Sequence, residues 1–104
     1  MDKSMVERAD PEVLEVVGRR LRALRKARGL TLEETARATG LHPTTVSRAE
    51  HGDNPTLLTV VRLLRAYGRL AAIDGFIPEA GVSPMALVRE RGRSDSDSEG
   101  EAGG

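Results

Sequence analysis

The sequence has no cysteine, no tryptophan, and a single tyrosine and a single phenylalanine among 104 residues. The missing thiols exclude disulfides and thiolate metal sites, as befits a reducing cytoplasm. With so few aromatics, any core must be built from Leu, Val, Ile and Ala, which closely packed helices accommodate without a covalent staple. No apolar run approaches the roughly 18 residues of a membrane-spanning helix. The opening MDKSMVERADPEV lacks the basic-then-apolar layout of a secretory leader. No HExxH, Walker or nucleophile-elbow pattern is present, so no catalytic residue, metal or cofactor is expected. These absences predict a non-enzymatic cytoplasmic protein that makes no use of a membrane.

Net charge is also absent, but only in sum. Residues 1–17 hold two basic and five acidic side chains, residues 18–30 six basic and no acidic ones, and residues 79–104 three basic and six acidic ones. A basic middle between acidic ends suits a polyanion-binding module with solvating tails. Arginine-rich helix faces that are merely hydrated would give the same count.

What remains is helical punctuation. Asp10-Pro11 predicts a helix start, with Asp10 as N-cap. Leu14, Val17, Leu21 and Leu24 follow as an apolar stripe, and Gly29 is the stop. Thr31 and Glu34 have capping-box spacing for a second helix ending at Gly40. His42-Pro43 opens a third, which Gly52 closes. Asn54-Pro55-Thr56 opens a fourth, whose predicted apolar face is Leu57, Val60, Val61, Leu64 and Tyr67, with Gly68 at its end. Leu70 to Ile77 reads as a turn or short fifth helix, and Ser83-Pro84 as the cap of one more, to about Glu90. The expected organisation is a flexible segment 1–10, a folded domain 11–77, an extension 78–92 and a disordered acidic tail 93–104. The tail is Ser, Gly and acid with almost nothing to bury.

The run LRALRKARGLTLEETARATGLHPTTVSRAEHGDNPTLLTVVRLLRAYG resembles the Cro/C1-type (Xre-type) helix-turn-helix family. The features that carry it are an arginine in the first helix, Ala36, Gly40, the SRxExG pattern and NPTLLTVVRLL. The resemblance implies an all-α, lambda-repressor-like bundle of about five short helices, with the third helix in the major groove of double-stranded DNA. A groove-reading helix must be slim and polar at its start. Thr44, Thr45, Ser47 and Arg48 meet that need, and an arginine can grip guanine O6 and N7 together. By resemblance, Pro43, Thr44, Ser47 and Arg48 are the base-contacting positions. Without it, Thr44 and Thr45 would read as ordinary first-turn residues. Phosphate contacts are expected from Thr31, Thr45, His51 and Asn54 near helix starts and loops, although His51 also fits an ordinary exposed loop residue. The family often has Gln where this chain has Leu32, so that phosphate contact is missing.

The resemblance also implies a partly buried ion pair between Arg25 and Glu50, structural rather than DNA-contacting. The family usually has large aliphatics at the positions of Thr35 and Ala49, so either the core is slightly underfilled or Tyr67 and Leu64 lean in to compensate. A homodimer on a palindromic operator is expected, as for family members generally. Leu58, Leu63, Leu70, Ile73, Phe76 and Ile77 are candidate surface apolar residues for it, although residues 70–77 could instead fold back to complete the monomer core. The expected role is a transcriptional repressor. Two alternatives stay open: an antitoxin with a HipA-like toxin partner, because the end of the chain weakly resembles such proteins, and an interaction module without DNA binding.

Overall fold

The computed structural model describes residues 4–80. The expected 84–90 helix and the acidic tail, with its serines Ser94, Ser96 and Ser98, lie outside the described residues. The described residues are all-α, with a 3₁₀ turn at Met5–Glu7, α1 at Asp10–Ala27, α2 at Leu32–Thr39, α3 at Pro43–Glu50, α4 at Leu57–Ala66, a 3₁₀ turn at Leu70–Ala72 and α5 at Ile73–Phe76. No helix among them is long and apolar enough to cross a membrane, and no His, Cys, Asp and Glu side chains among them gather as a metal site would require. Residues up to Ala72 form one unit and those from Ile73 a second. In the second, α5 is a single turn, closed by the Ile77 N–H donating to the Ile73 carbonyl at 3.0 Å.

Local chemistry sets the helix boundaries. Thr31 Oγ1 accepts the Glu34 N–H at 3.0 Å while the Glu34 carboxylate accepts the Thr31 N–H at 2.9 Å, the reciprocal capping box predicted from the spacing. The start of α1 differs by one residue from expectation. Ala9 occupies the N-cap and Asp10 lies inside the first turn. An alanine has no oxygen to cap with, so only half of the box exists: Glu12 accepts the Ala9 N–H at 2.9 Å. Three helices end in the same way. At the ends of α1, α3 and α4 the chain closes with paired backbone bonds, such as Leu30 N–H to Arg25 carbonyl with Gly29 N–H to Lys26 carbonyl. This satisfies carbonyls that the helix leaves without partners.

In the first unit α3 packs against α1, α2 and α4. The core consists of Leu21, Ala36, Val46, Ala49, Leu63 and Tyr67, ringed by half-buried Val17, Leu24, Leu30, Leu32, Leu41, Leu64 and Ala66. Val46 and Leu63 are fully enclosed, each stabilising the fold by about 1.5–3 kcal/mol. Tyr67 is buried and lies beside the equally buried Thr35.

Two predicted faces are rotated. On α1 the buried positions are Val16, Gly18, Leu21 and Arg25, with Leu14, Val17 and Leu24 only half buried. The cause is a close approach. A Cβ on Gly18 would sit 2.5 Å from the Glu50 carbonyl oxygen, and one on Gly52 would sit 2.8 Å from the Leu14 carbonyl oxygen. Two glycines, one from each element, let the backbone of α1 and the end of α3 touch, and the inward face follows that contact. On α4, Thr59, Leu63 and Tyr67 are buried while Leu57 is exposed. Leu63 therefore belongs to the core rather than to the surface set. Leu58, Phe76 and Ile77 are exposed as expected, and Leu70 and Ile73 are half buried.

Candidate nucleic-acid interface

Eight residues make α3, and their hundred-degree spacing divides them cleanly. Val46, Ala49 and Glu50 point inward and are buried. The opposite side presents Thr44 and Arg48, both exposed, with Ser47 partly exposed and His51 exposed just past the helix end. Of the base-contacting candidates, Thr44, Ser47 and Arg48 thus share one outward face. Pro43 is half buried on the flank of that face.

The start of α3 is capped by a residue that sequence patterns did not flag. His42 Nδ1 accepts the Thr44 N–H at 3.1 Å. That bond requires Nδ1 to be unprotonated, which leaves Nε2 as the N–H of the neutral, exposed ring. His51 is the reverse case. Its Nδ1 lies 2.7 Å from the Ser47 carbonyl. A carbonyl only accepts, so the proton sits on Nδ1 and Nε2 of the neutral ring is an acceptor. Neutral His51 therefore has no outward donor for a phosphate, and only the cationic ring would serve.

The inner end of α3 is fixed by charge. Arg25 Nε donates to Glu50 at 2.6 Å and a second guanidinium nitrogen donates to the same carboxylate at 3.1 Å, while the third donates to the Leu30 carbonyl at 2.8 Å. Both residues are buried. The hydrogen bonds to Glu50 raise the Arg25 pKa against the opposing effect of burial, so the guanidinium stays charged and joins α1, the α1–α2 turn and α3 at one point. Nearby, burial pushes the Tyr67 hydroxyl above its usual range. The Tyr67 and Thr35 hydroxyls are neighbours, but neither has a partner in hydrogen-bonding geometry.

Two open grooves flank the outward face. One, of about 380 Å³ between α1 and α3, has Arg19, Arg22, Ser47 and His51 on its walls together with the acidic Glu15, and the Arg25–Glu50 pair within it. The other, of about 350 Å³ on the α4 side, is lined by Thr45, Arg48, Asp53, Asn54 and Thr56 among others. The phosphate candidates are thereby divided, with His51 on the basic side and Thr45 and Asn54 on the polar side. Thr31, exposed at the start of α2, accepts through Oγ1 within its capping box and keeps its hydroxyl proton to donate. Leu32 adds an apolar side chain to the lining of the basic groove.

Three further residues shape this surface. Arg19 and Arg22 were counted in the sequence only as charge. Asp53 was not singled out, yet its carboxylate accepts from Arg48 Nε at 3.0 Å. The pair spans a turn containing Gly52 at φ 74°, and Asn54 follows at φ 43°. Asparagine is one of the few side chains that tolerates this left-handed region.

Compared with known proteins, residues 21–71 match the model of the helix-turn-helix family. No curated protein matches the chain. The match spans α2, α3 and the turn at Gly40 that joins them, together with the C-terminal part of α1 and all of α4. Within these residues the chain carries a helix-turn-helix domain, a type whose general role is to bind DNA.

Proposed function

We propose that this chain is a sequence-specific DNA-binding transcriptional regulator, a cytoplasmic repressor that occupies a palindromic operator as a two-fold dimer with α3 in the major groove. One observation carries the reading: α3 buries one face under three helices and leaves Thr44, Ser47 and Arg48 together on the other. Small hydroxyls at the front of that face let the helix sink into the groove, and Arg48 is long enough to reach a guanine edge. The flanking grooves suit the two phosphate backbones, with Arg19 and Arg22 on one side and Thr45 and Asn54 on the other. The N–H groups that open α2, apart from that of Glu34, which Thr31 caps, support a further phosphate contact beside Thr31, against the two acids of that first turn.

A single eight-residue helix reads few base pairs. Two copies placed one DNA turn apart would double the information. The more than half-exposed Leu57 and Leu58 at the start of α4 support an apolar contact between copies. The antitoxin reading rests on residues 69–93, most of which lie outside the described residues, and no observation favours it.

The test is fluorescence anisotropy of labelled duplexes across a salt series. Affinity is expected to fall steeply and log-linearly with salt. Flat, salt-insensitive affinity, or no binding to any duplex at low salt, would reject the proposal and favour the interaction-module alternative.

A further inference from the structure

Asp53 is a negative charge on a face that the proposed function presses against DNA phosphates. It is bonded twice to the same residue. Its N–H donates to the Arg48 carbonyl at 3.0 Å as part of the turn that ends α3, and its carboxylate accepts from Arg48 Nε at 3.0 Å. The backbone bond, the left-handed Gly52 and the close seat of Gly52 on α1 fix the backbone from which the carboxylate projects. The ion pair itself is exposed, with side-chain accessibilities of 68% and 55%. Exposed pairs of this kind contribute little to folding, so stability does not account for an acid in this position.

We infer that Asp53 is a specificity-determining residue that positions Arg48 for guanine. The inference rests on the reading of α3 as the groove-reading helix. A free arginine has two edges that can grip O6 and N7, one made by its two terminal nitrogens and one that includes Nε. With Nε held by Asp53, only the terminal edge remains, and the long side chain is held extended from the end of α3 with less entropy to lose on binding. The same carboxylate acts against the wrong sequence. The acid meets the phosphate field on any duplex, and only a guanine gripped by the terminal edge of Arg48 offsets that cost. Selectivity thus rises at the expense of bare affinity.

The experiment is a double-mutant cycle on base preference. A duplex is selected from a random pool with the full chain, and the base pair whose preference disappears in Arg48→Ala marks the contacted guanine. Binding to that duplex, to its variants at that pair and to a scrambled duplex of equal length is then measured for wild type, Asp53→Asn, Arg48→Ala and the double variant. Asp53→Asn keeps the backbone N–H, and thermal melting is expected to stay near wild type. Its preference for guanine is expected to fall about two- to fivefold. Its affinity for the scrambled duplex is expected to rise, with a salt slope steeper by up to about one. In the Arg48→Ala background the same change is expected to leave base preference untouched.

Unaltered preference in Asp53→Asn, when wild type is selective and Arg48→Ala is not, overturns the inference and leaves the reading of α3 intact. An equal change in both backgrounds also overturns it, because Asp53 would then act on the base rather than through Arg48. A wild type that binds duplexes without any base preference removes the reading of α3 and this inference together.

Discussion

At the scale of single residues, the strongest constraint on the reading helix is the Arg25–Glu50 pair, because it holds the inner end of α3 through two side-chain hydrogen bonds, with a third from Arg25 to the Leu30 carbonyl. Replacing Arg25 with Ala leaves the buried Glu50 carboxylate uncompensated and is expected to cost about 3–5 kcal/mol in denaturant unfolding; a loss below about 1 kcal/mol would mean that water reaches the carboxylate. Tyr67 gives the opposite expectation. Its hydroxyl is buried without a geometric partner, so Tyr67→Phe is expected to be neutral or mildly stabilising. Burial raises the Tyr67 pKa above its usual value of 10.0. The folded state therefore favours the neutral phenol, and the resulting stability is intact below about pH 10 and lost as pH rises beyond it. Tyr67→Phe should soften the alkaline decline in melting temperature, and an unchanged decline would contradict this origin.

The Arg25–Glu50 pair was legible only through the family resemblance, since 25 residues separate the partners. The Arg48–Asp53 pair was missed for a different reason. An i to i+5 spacing is not a helical pairing distance, and the two meet because the turn at Gly52 folds Asp53 back over the last turn of α3.

At the scale of helices, most boundaries were readable because each depends on a few neighbouring residues, although the α1 cap fell on Ala9 rather than Asp10 and the His42 cap of α3 went unflagged. The Thr31–Glu34 box and the limits of α2 and α3 follow their spacing. Hydrogen bonding to the Thr31 backbone lowers the Glu34 pKa from 4.5. Its contribution is therefore present above that value and lost as pH falls through the lower, folded one. A Glu34→Gln variant should melt below wild type near neutrality, and the gap should narrow under acid conditions; a gap constant with pH would contradict the charge-assisted cap.

Inward faces were less readable than boundaries. On α1 the deciding positions are Gly18 and Arg25, which an apolar count skips. On α4, leucine and valine lie almost all round, and only the seats offered by α2 and α3 select Thr59, Leu63 and Tyr67. Gly18→Ala tests the close approach directly. Alanine improves helix propensity by about 1 kcal/mol, yet its Cβ would fall 2.5 Å from a backbone oxygen. A net destabilisation of about 1–3 kcal/mol is expected, and a net gain in melting temperature would show that the two backbones can separate at little cost.

At the scale of the whole molecule, the first unit places a helix with a polar outward face between a basic groove and a polar one. The sequence carried the outline of this arrangement in the unequal charge of its segments and in the residues of the second and third helices. It did not carry the placement of Arg19 and Arg22 beside His51, which depends on how α1 crosses α3. If Leu57 and Leu58 lie between two copies, Leu58→Lys should shift sedimentation from dimer toward monomer at a given concentration, and an unaltered distribution would exclude that surface.

The central claim, that the outward face of α3 reads DNA sequence, is tested most directly by selecting bound duplexes from a random pool with the full chain and with Arg48→Ala. The account predicts an enriched motif containing a guanine that the variant no longer selects, at a loss of about 1–3 kcal/mol in binding. A pool that emerges unenriched, or a motif that Arg48→Ala selects equally well, would contradict it.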